Sequence, residues 1–221
     1  MRKGRISIAC VAGIATLALT AGGAFAATII GSTADDRLIG TSDSDRIAAL
    51  AGNDTVLALA GNDRVRAGIG NDRVAGMRGH DWIHGQAGRD RLAGGLHGDR
   101  IRGGAGPDRI RGGPGNDRLG GGPARDRVNG GIGDDVVAGG LACDFLIGGP
   151  GDDIIRARDR QVFDSQSDTR DRTIDRVLCG LGNDKAFLDD GDVIVDATDA
   201  NPNGSCEIVI RINSAEEDTQ A

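Results

Sequence analysis

From residue 31 to 156, an aspartate followed two positions later by an aliphatic residue returns every nine residues without a slip. The aspartates are Asp36, Asp45, Asp54, Asp63, Asp72, Asp81, Asp90, Asp99, Asp108, Asp117, Asp126, Asp135, Asp144 and Asp153, and the partner two residues on is always Leu, Ile or Val, from Leu38 to Ile155. Chance does not produce this. A fixed short period means that one structural step is repeated, and stacked repeats of this kind need covering at their ends.

The best-formed unit is Gly112-Gly113-Pro114-Gly115-Asn116-Asp117-Arg118-Leu119-Gly120, and Gly103 to Arg111 keeps the same frame. Glycines in the first half allow positive φ and leave no Cβ in the way of an ion, so the backbone turns tightly with its carbonyls aimed inward. The aspartate adds a hard, charged oxygen. Oxygen-rich loops suit Ca²⁺, which takes six to eight oxygen ligands in flexible geometry, better than Mg²⁺ or a thiol-seeking metal. After the loop, Arg118-Leu119-Gly120 alternates outside, inside, outside as a short strand does, which turns the aliphatic residue to the axis.

The unit resembles the repeats-in-toxin, or haemolysin-type, calcium-binding nonapeptide, over about 126 of the 221 residues. The resemblance implies an all-β fold: a right-handed parallel β-roll solenoid of about seven coils, two nonapeptides to a coil, with Ca²⁺ between loops stacked on one side. Asp117 would then share ions with Asp99 and Asp135, and Asp108 with Asp90 and Asp126. The expected ligands are Asp54, Asp63, Asp72, Asp81, Asp90, Asp99, Asp108, Asp117, Asp126, Asp135, Asp144 and Asp153. Expected beside them are Gly104, Gly106, Gly113, Gly115, Gly131, Gly133, Gly149 and Gly151, together holding roughly eight to twelve ions. The first units are degenerate: Ser32 and Ala34, then Thr41 and Asp43, stand where glycines are expected, and Ala49-Leu50 and Ala58-Leu59 replace later pairs. Calcium binding is least expected at that end. His97, Ala124 and Ala142 replace the fourth-position glycine, which strains those loops if they need positive φ.

Around the roll (27–156) the chain divides further. Residues 1–26 read as a signal peptide, with basic Arg2, Lys3 and Arg5, an apolar stretch and Ala24-Phe25-Ala26 before the cut. Thr28 to Ile30 read as a lead-in covering the open first coil. Residues 157–172 read as a linker, 173–212 as a small disulfide-bonded β cap, and 213–221 as a disordered acidic tail. Gly180 to Asp184 reads as a copy of the loop whose phase has been reset. In an oxidising setting Cys179 pairs with Cys206 in the cap, leaving Cys143, at a variable loop position, outside that bridge. Asp199 to Gly204 resembles the start of an EF-hand loop, but Ile210 stands where a bidentate acid is needed, so it reads as a polar turn.

Basic and acidic side chains number 26 and 33, and loss of Arg2, Lys3 and Arg5 with the leader moves the net charge from −7 to −10. Stacked aspartates repel and glycine-rich backbone loses much entropy on ordering, so the roll is expected to fold as calcium binds. Eight to twelve ions would carry the charge to about +6 to +14. Arg37, Arg46, Arg64, Arg73, Arg91, Arg100, Arg109, Arg118 and Arg127 directly follow an aspartate and should form outward rows. These rows read as a solvated surface that keeps edges soluble, or as a binding face for an anionic envelope polysaccharide. Trp82 is expected on the surface, resting on neighbouring arginine stems.

No enzyme is expected. The 65 residues after the repeats hold no histidine and no nucleophile-elbow or zinc-protease motif, which leaves a hydrolase only as a remote alternative. His80, His84 and His97 lie in loops or on a strand without a third ligand. The sequence therefore reads as a secreted, extracellular, monomeric calcium-binding protein with a structural or surface-interaction role. Neither nucleic acid nor a membrane span after cleavage is expected.

Overall fold

The computed structural model describes residues 6–9, 26–157, 175–188, 192–195, 206 and 208–211. Each nonapeptide contributes one strand, and successive units alternate between two parallel sheets, one of eleven strands and one of nine. Partners lie eighteen residues apart: Arg109 opposite Arg127, Ile110 opposite Val128, and Arg100 opposite Arg118, Ile101 opposite Leu119. Two nonapeptides thus make a coil, as the resemblance implied.

The aliphatic residue of every unit faces inward and is at most 4 % exposed. Many strands are longer than the three alternating residues read from the sequence. Arg100–Ala105, Arg109–Pro114 and Arg127–Ile132 run on through the glycine pair, because Gly113 still pairs with Gly131 and Pro114 with Ile132. The second inward position is small throughout. Gly31 and Gly40 fill it at first, then Ala49, Ala58 and Ala67, and glycine again from Gly76 to Gly148.

The frame begins one unit earlier than the aspartates do. Ala27–Ile30 is a strand, not merely a cover. Its Ala27 amide donates to Asp45 Oδ1 at 2.6 Å, the bond made by aspartate amides in later coils, and Ile29 is buried at the aliphatic place. Ile6–Ala9 pairs in parallel along its outer edge.

The frame also resumes after the last regular unit. The Asp144 amide donates to Asp175 Oδ1 and the Asp153 amide to Asp184 Oδ1, each across 31 residues rather than 18. Arg176–Leu181 and Lys185–Leu188 therefore rejoin the same two sheets, and the solenoid reaches about eight turns instead of seven. Val193–Ile194 and Ile208–Arg211 add a last strand to each sheet. The cap is thus built from rungs of the roll, held by the Cys179–Cys206 disulfide. Residues 158–172 of the expected linker, Asp199 to Gly204 and the tail from Ser214 lie outside the described residues.

A testable consequence concerns the inward column. In calcium, Ile101→Ala should lower unfolding free energy by about 2–5 kcal/mol, since the narrow interior offers nothing to refill the space. Leu141→Ala, at a site 40 % exposed, should change it by under about 0.5 kcal/mol; urea unfolding of both variants checks the contrast.

Candidate metal centre

The loops between strands turn by positive φ at their second and fourth positions. All eight glycines expected as ligands do so, including Gly113 at 123° and Gly115 at 140°. The turn sets the Gly113 carbonyl against the Cα of Gly131 and the Gly115 carbonyl against that of Gly133, one coil on. Carbonyl oxygens therefore line the gap between stacked loops. Of the residues replacing glycine at the fourth position, His97 and Ala142 are held at 76° and 77°, whereas Ala124 is not among the positive-φ residues. The second position imposes the same conformation on Leu50, Leu59, Met77 and Gln86, so this strain falls mainly on the earlier coils.

The aspartates form two columns, one on each side of the roll. Asp99 donates its amide to Asp117 Oδ1 at 2.7 Å, and Asp117 donates its own to Asp135 at 2.8 Å. Opposite, Asp90 donates to Asp108 and Asp108 to Asp126, both at 2.8 Å. The groupings Asp99–Asp117–Asp135 and Asp90–Asp108–Asp126 that the resemblance implied are thus brought together.

The second oxygen differs. Oδ2 of Asp54, Asp63, Asp72, Asp81, Asp90, Asp99, Asp108, Asp117, Asp126, Asp135 and Asp153 is buried and meets no hydrogen-bond donor among the described residues. From Asp81 onward it lies against the bare Cα of the first glycine in its own loop, in most coils beside a carbonyl from the next coil. At Gly112, an added Cβ would meet both Asp117 Oδ2 and the Gly130 carbonyl; at Gly103 it would meet Asp108 Oδ2 and the Gly121 carbonyl. A buried, unsatisfied carboxylate oxygen is costly unless a cation completes it.

Electrostatics state the same conflict. Burial pushes the carboxyls of Asp63, Asp99, Asp108, Asp117, Asp135 and Asp153 up to about 7. Those of Asp54, Asp72, Asp90 and Asp126 rise to about 6, and Asp81 is also raised by burial. The amide bond from the preceding coil opposes the rise, while the charge of a neighbour such as Asp99 beside Asp117 adds to it.

In the first two units the second oxygen does meet donors. Ser32 donates its amide and its hydroxyl, the latter at 2.9 Å, to Asp36 Oδ2. Thr41 donates its amide at 2.6 Å and its hydroxyl at 3.1 Å to Asp45 Oδ2. The sequence showed these units as poor in glycine but not that a hydroxyl takes the carboxylate. Also missed was the first-position glycine, whose carbonyl faces the aspartate one coil away; its signal was glycine recurring at all nine such positions from Gly76 to Gly148.

Among the described residues no three His, Cys, Asp or Glu side chains converge on a metal, so any ion here would be held by carboxylates together with backbone carbonyls. Hard oxygens without nitrogen or sulfur suit Ca²⁺. Comparison with known families agrees: RTX calcium-binding nonapeptide repeats match residues 22–56, 30–65, 39–74, 66–96, 94–128, 115–142 and 129–159, together more than half of the chain. The chain belongs to the RTX calcium-binding nonapeptide repeat family. RTX repeats bind calcium, and the buried Oδ2 atoms of this RTX roll fit that ion. No curated protein matches the chain.

The raised carboxyls fix a pH dependence. Between about pH 4 and 7 the metal-free fold holds more protons than the unfolded chain, so its stability falls as pH rises through that window. A proton and a calcium ion compete for the same oxygen, so calcium affinity should fall as pH drops from about 7.5 to 5.5. Calcium titrations followed by circular dichroism should show the midpoint moving to higher calcium at the lower pH.

Proposed function

We propose that this chain is a secreted protein whose β-roll folds on Ca²⁺ and then serves a structural or surface-interaction role. The observation that carries the reading is the unbroken run of buried Oδ2 atoms from Asp54 to Asp135, each unmatched by a donor among the described residues. The twelve aspartates from Asp54 to Asp153 in the two columns would supply the carboxylates. Gly104, Gly106, Gly113, Gly115, Gly131, Gly133, Gly149 and Gly151 would supply carbonyls, with roughly eight to twelve ions in all. Export is supported by the basic start, apolar stretch and Ala24-Phe25-Ala26 of the first 26 residues. Their removal takes only the outermost strand, Ile6–Ala9, from the described sheets.

Titrating the chelated protein with Ca²⁺, with Mg²⁺ as control, should give a cooperative rise in β signal in the range of about 0.1–1 mM, typical of extracellular modules. A β spectrum already complete in chelator would overturn the reading. Asp117→Asn should lower the number of bound ions, whereas Asp36→Asn should leave it unchanged, because Ser32 already satisfies that carboxylate.

One observation favours a second reading of the surface role. On the eleven-stranded sheet Trp82 lies between Arg64 and Arg100, and His84 between Arg66 and Arg102. The Arg66 guanidinium is 5.8 Å from the Trp82 ring. Burial, with Arg102 and Arg66, lowers the His84 pKa from its ordinary value. An aromatic plate inside a basic cluster suits an anionic envelope polysaccharide. Binding to an acidic polysaccharide in calcium should weaken with salt and with Trp82→Ala; salt-insensitive binding would sink it.

A further inference from the structure

The outer face of the eleven-stranded sheet is hollowed near the amino end of the roll. Each rung there sets two outward residues two positions apart, which makes two columns. One column runs Thr28, Arg46, Arg64, Trp82, and the other runs Ile30, Ala48, Arg66, His84. Thr28 and Ala48 are the short members, and among their longer neighbours lies a cavity of about 350 Å³. Arg46, Arg64 and Arg66 wall it, Ile30 and Ala48 give it an apolar side, and Trp82 stands at the end toward the later coils. No carboxylate lines it among the described residues.

A second hollow, of about 250 Å³, shares Thr28, Arg46 and Arg64 with the first and adds Ser44 and Asn62. The Ser44 oxygen accepts the Asn62 amide, and Asn62 Oδ1 accepts the His80 amide. The Ser44 hydroxyl proton and the Asn62 side-chain NH₂ are left to donate. Asp45 also borders this hollow, but its oxygens already take the amides of Ala27 and Thr41.

These contents select the occupant. Three guanidiniums without an acid beside them call for an anion, and arginine holds a carboxylate through two parallel bonds. An indole next to aliphatic side chains accepts the apolar face of a ring. Hydroxyl and amide donors alongside suit a ligand rich in hydroxyls, for which a flat aromatic anion has no counterpart. From Thr28 to Trp82 the trough crosses three rung spacings, about 14 Å. That is the length of a short acidic oligosaccharide.

We propose that this trough is a discrete site for a run of about two or three uronic acid residues, a size in keeping with small ligand pockets. Arg46, Arg64 and Arg66 meet the carboxylates, and Trp82 lies against a sugar ring. The proposal deepens, and rests on, the polysaccharide reading of the surface: one site at the amino end takes the place of a diffuse basic face. Its lining begins at Thr28, so loss of the leader leaves the site in place.

The test is isothermal titration calorimetry at constant free calcium with trigalacturonate, with maltotriose as the neutral control and adenosine monophosphate as the flat anion. Wild type should bind trigalacturonate one to one, and each control roughly tenfold or more weakly. Four variants use residues that the repeat already carries at the same unit position. A48R follows Arg66 and fills the trough; W82R follows Arg64 and Arg100 and removes the ring; R64T follows Thr55. R118T, two rungs beyond Trp82, lies outside the trough. A48R and W82R each add a positive charge, so adsorption by charge alone predicts tighter binding in both. The trough predicts the reverse. A48R and R64T should weaken binding roughly tenfold or more, as loss of a bond to a charged group does. W82R should weaken it severalfold, and R118T by less than about twofold.

Tighter or unchanged binding by A48R overturns the proposal, and so does adenosine monophosphate binding as well as trigalacturonate. Wild type that binds long polygalacturonate but not the trisaccharide overturns the site and keeps the wider polysaccharide reading; binding of neither overturns both. Circular dichroism in calcium accompanies every sample, and a variant that has lost its fold leaves the other three to decide.

Discussion

One carboxylate with two unlike oxygens governs this molecule. Oδ1 accepts an amide from the coil before it, which fixes each loop to its neighbour; Oδ2 is forced inward against a glycine and a carbonyl, where charge is disfavoured. The bond that sets the register therefore creates the electrostatic conflict. A divalent ion at Oδ2 would remove that conflict without disturbing the register, which accounts for an aspartate recurring where a neutral asparagine would also accept an amide bond.

The rest of the architecture follows from leaving room for that arrangement. Glycine at the first position of most loops is steric: a Cβ at Gly112 would occupy the place of Asp117 Oδ2. Glycine at the second and fourth positions is conformational. Where Leu50, Leu59, Met77 or Gln86 stands at the second position, the loop keeps its shape at the expense of a strained backbone. Packing at the axis contributes only one aliphatic side chain and one small residue per rung, so cohesion comes from stacking along the roll and not from a wide core.

Much of this was legible in the sequence because the period is rigid. The inward aliphatic column needs only the spacing and the alternation of a strand; the two-unit coil and the pairing of Asp117 with Asp99 and Asp135 came from the resemblance of the nonapeptide to a known repeat. What was less legible lay where the spacing fails while the geometry continues. Ala27 keeps the amide of the repeat but not its carboxylate, so a search for aspartates begins too late. Asp175 and Asp184 keep the carboxylate but stand after an insertion, so counting in nines passes over their register. Ser32 and Thr41 read as poor substitutes for glycine, although each hydroxyl reaches the carboxylate. Periodicity records which residues repeat; it does not record that a different residue satisfies the same oxygen.

Those two hydroxyls give the roll a direction. With Oδ2 of Asp36 and Asp45 accepting bonds from Ser32 and Thr41, the first coil closes with its carboxylate oxygens already matched by donors. A one-dimensional stack is limited by its first closed turn, after which each new turn is laid on an existing template. The amino-terminal coil is suited to be that template, and on the proposed reading ordering would travel from it toward the carboxyl end as ions are taken up. The Cys179–Cys206 bridge stands at the far end of that path, tying the rung of Arg176–Leu181 to the segment that follows it.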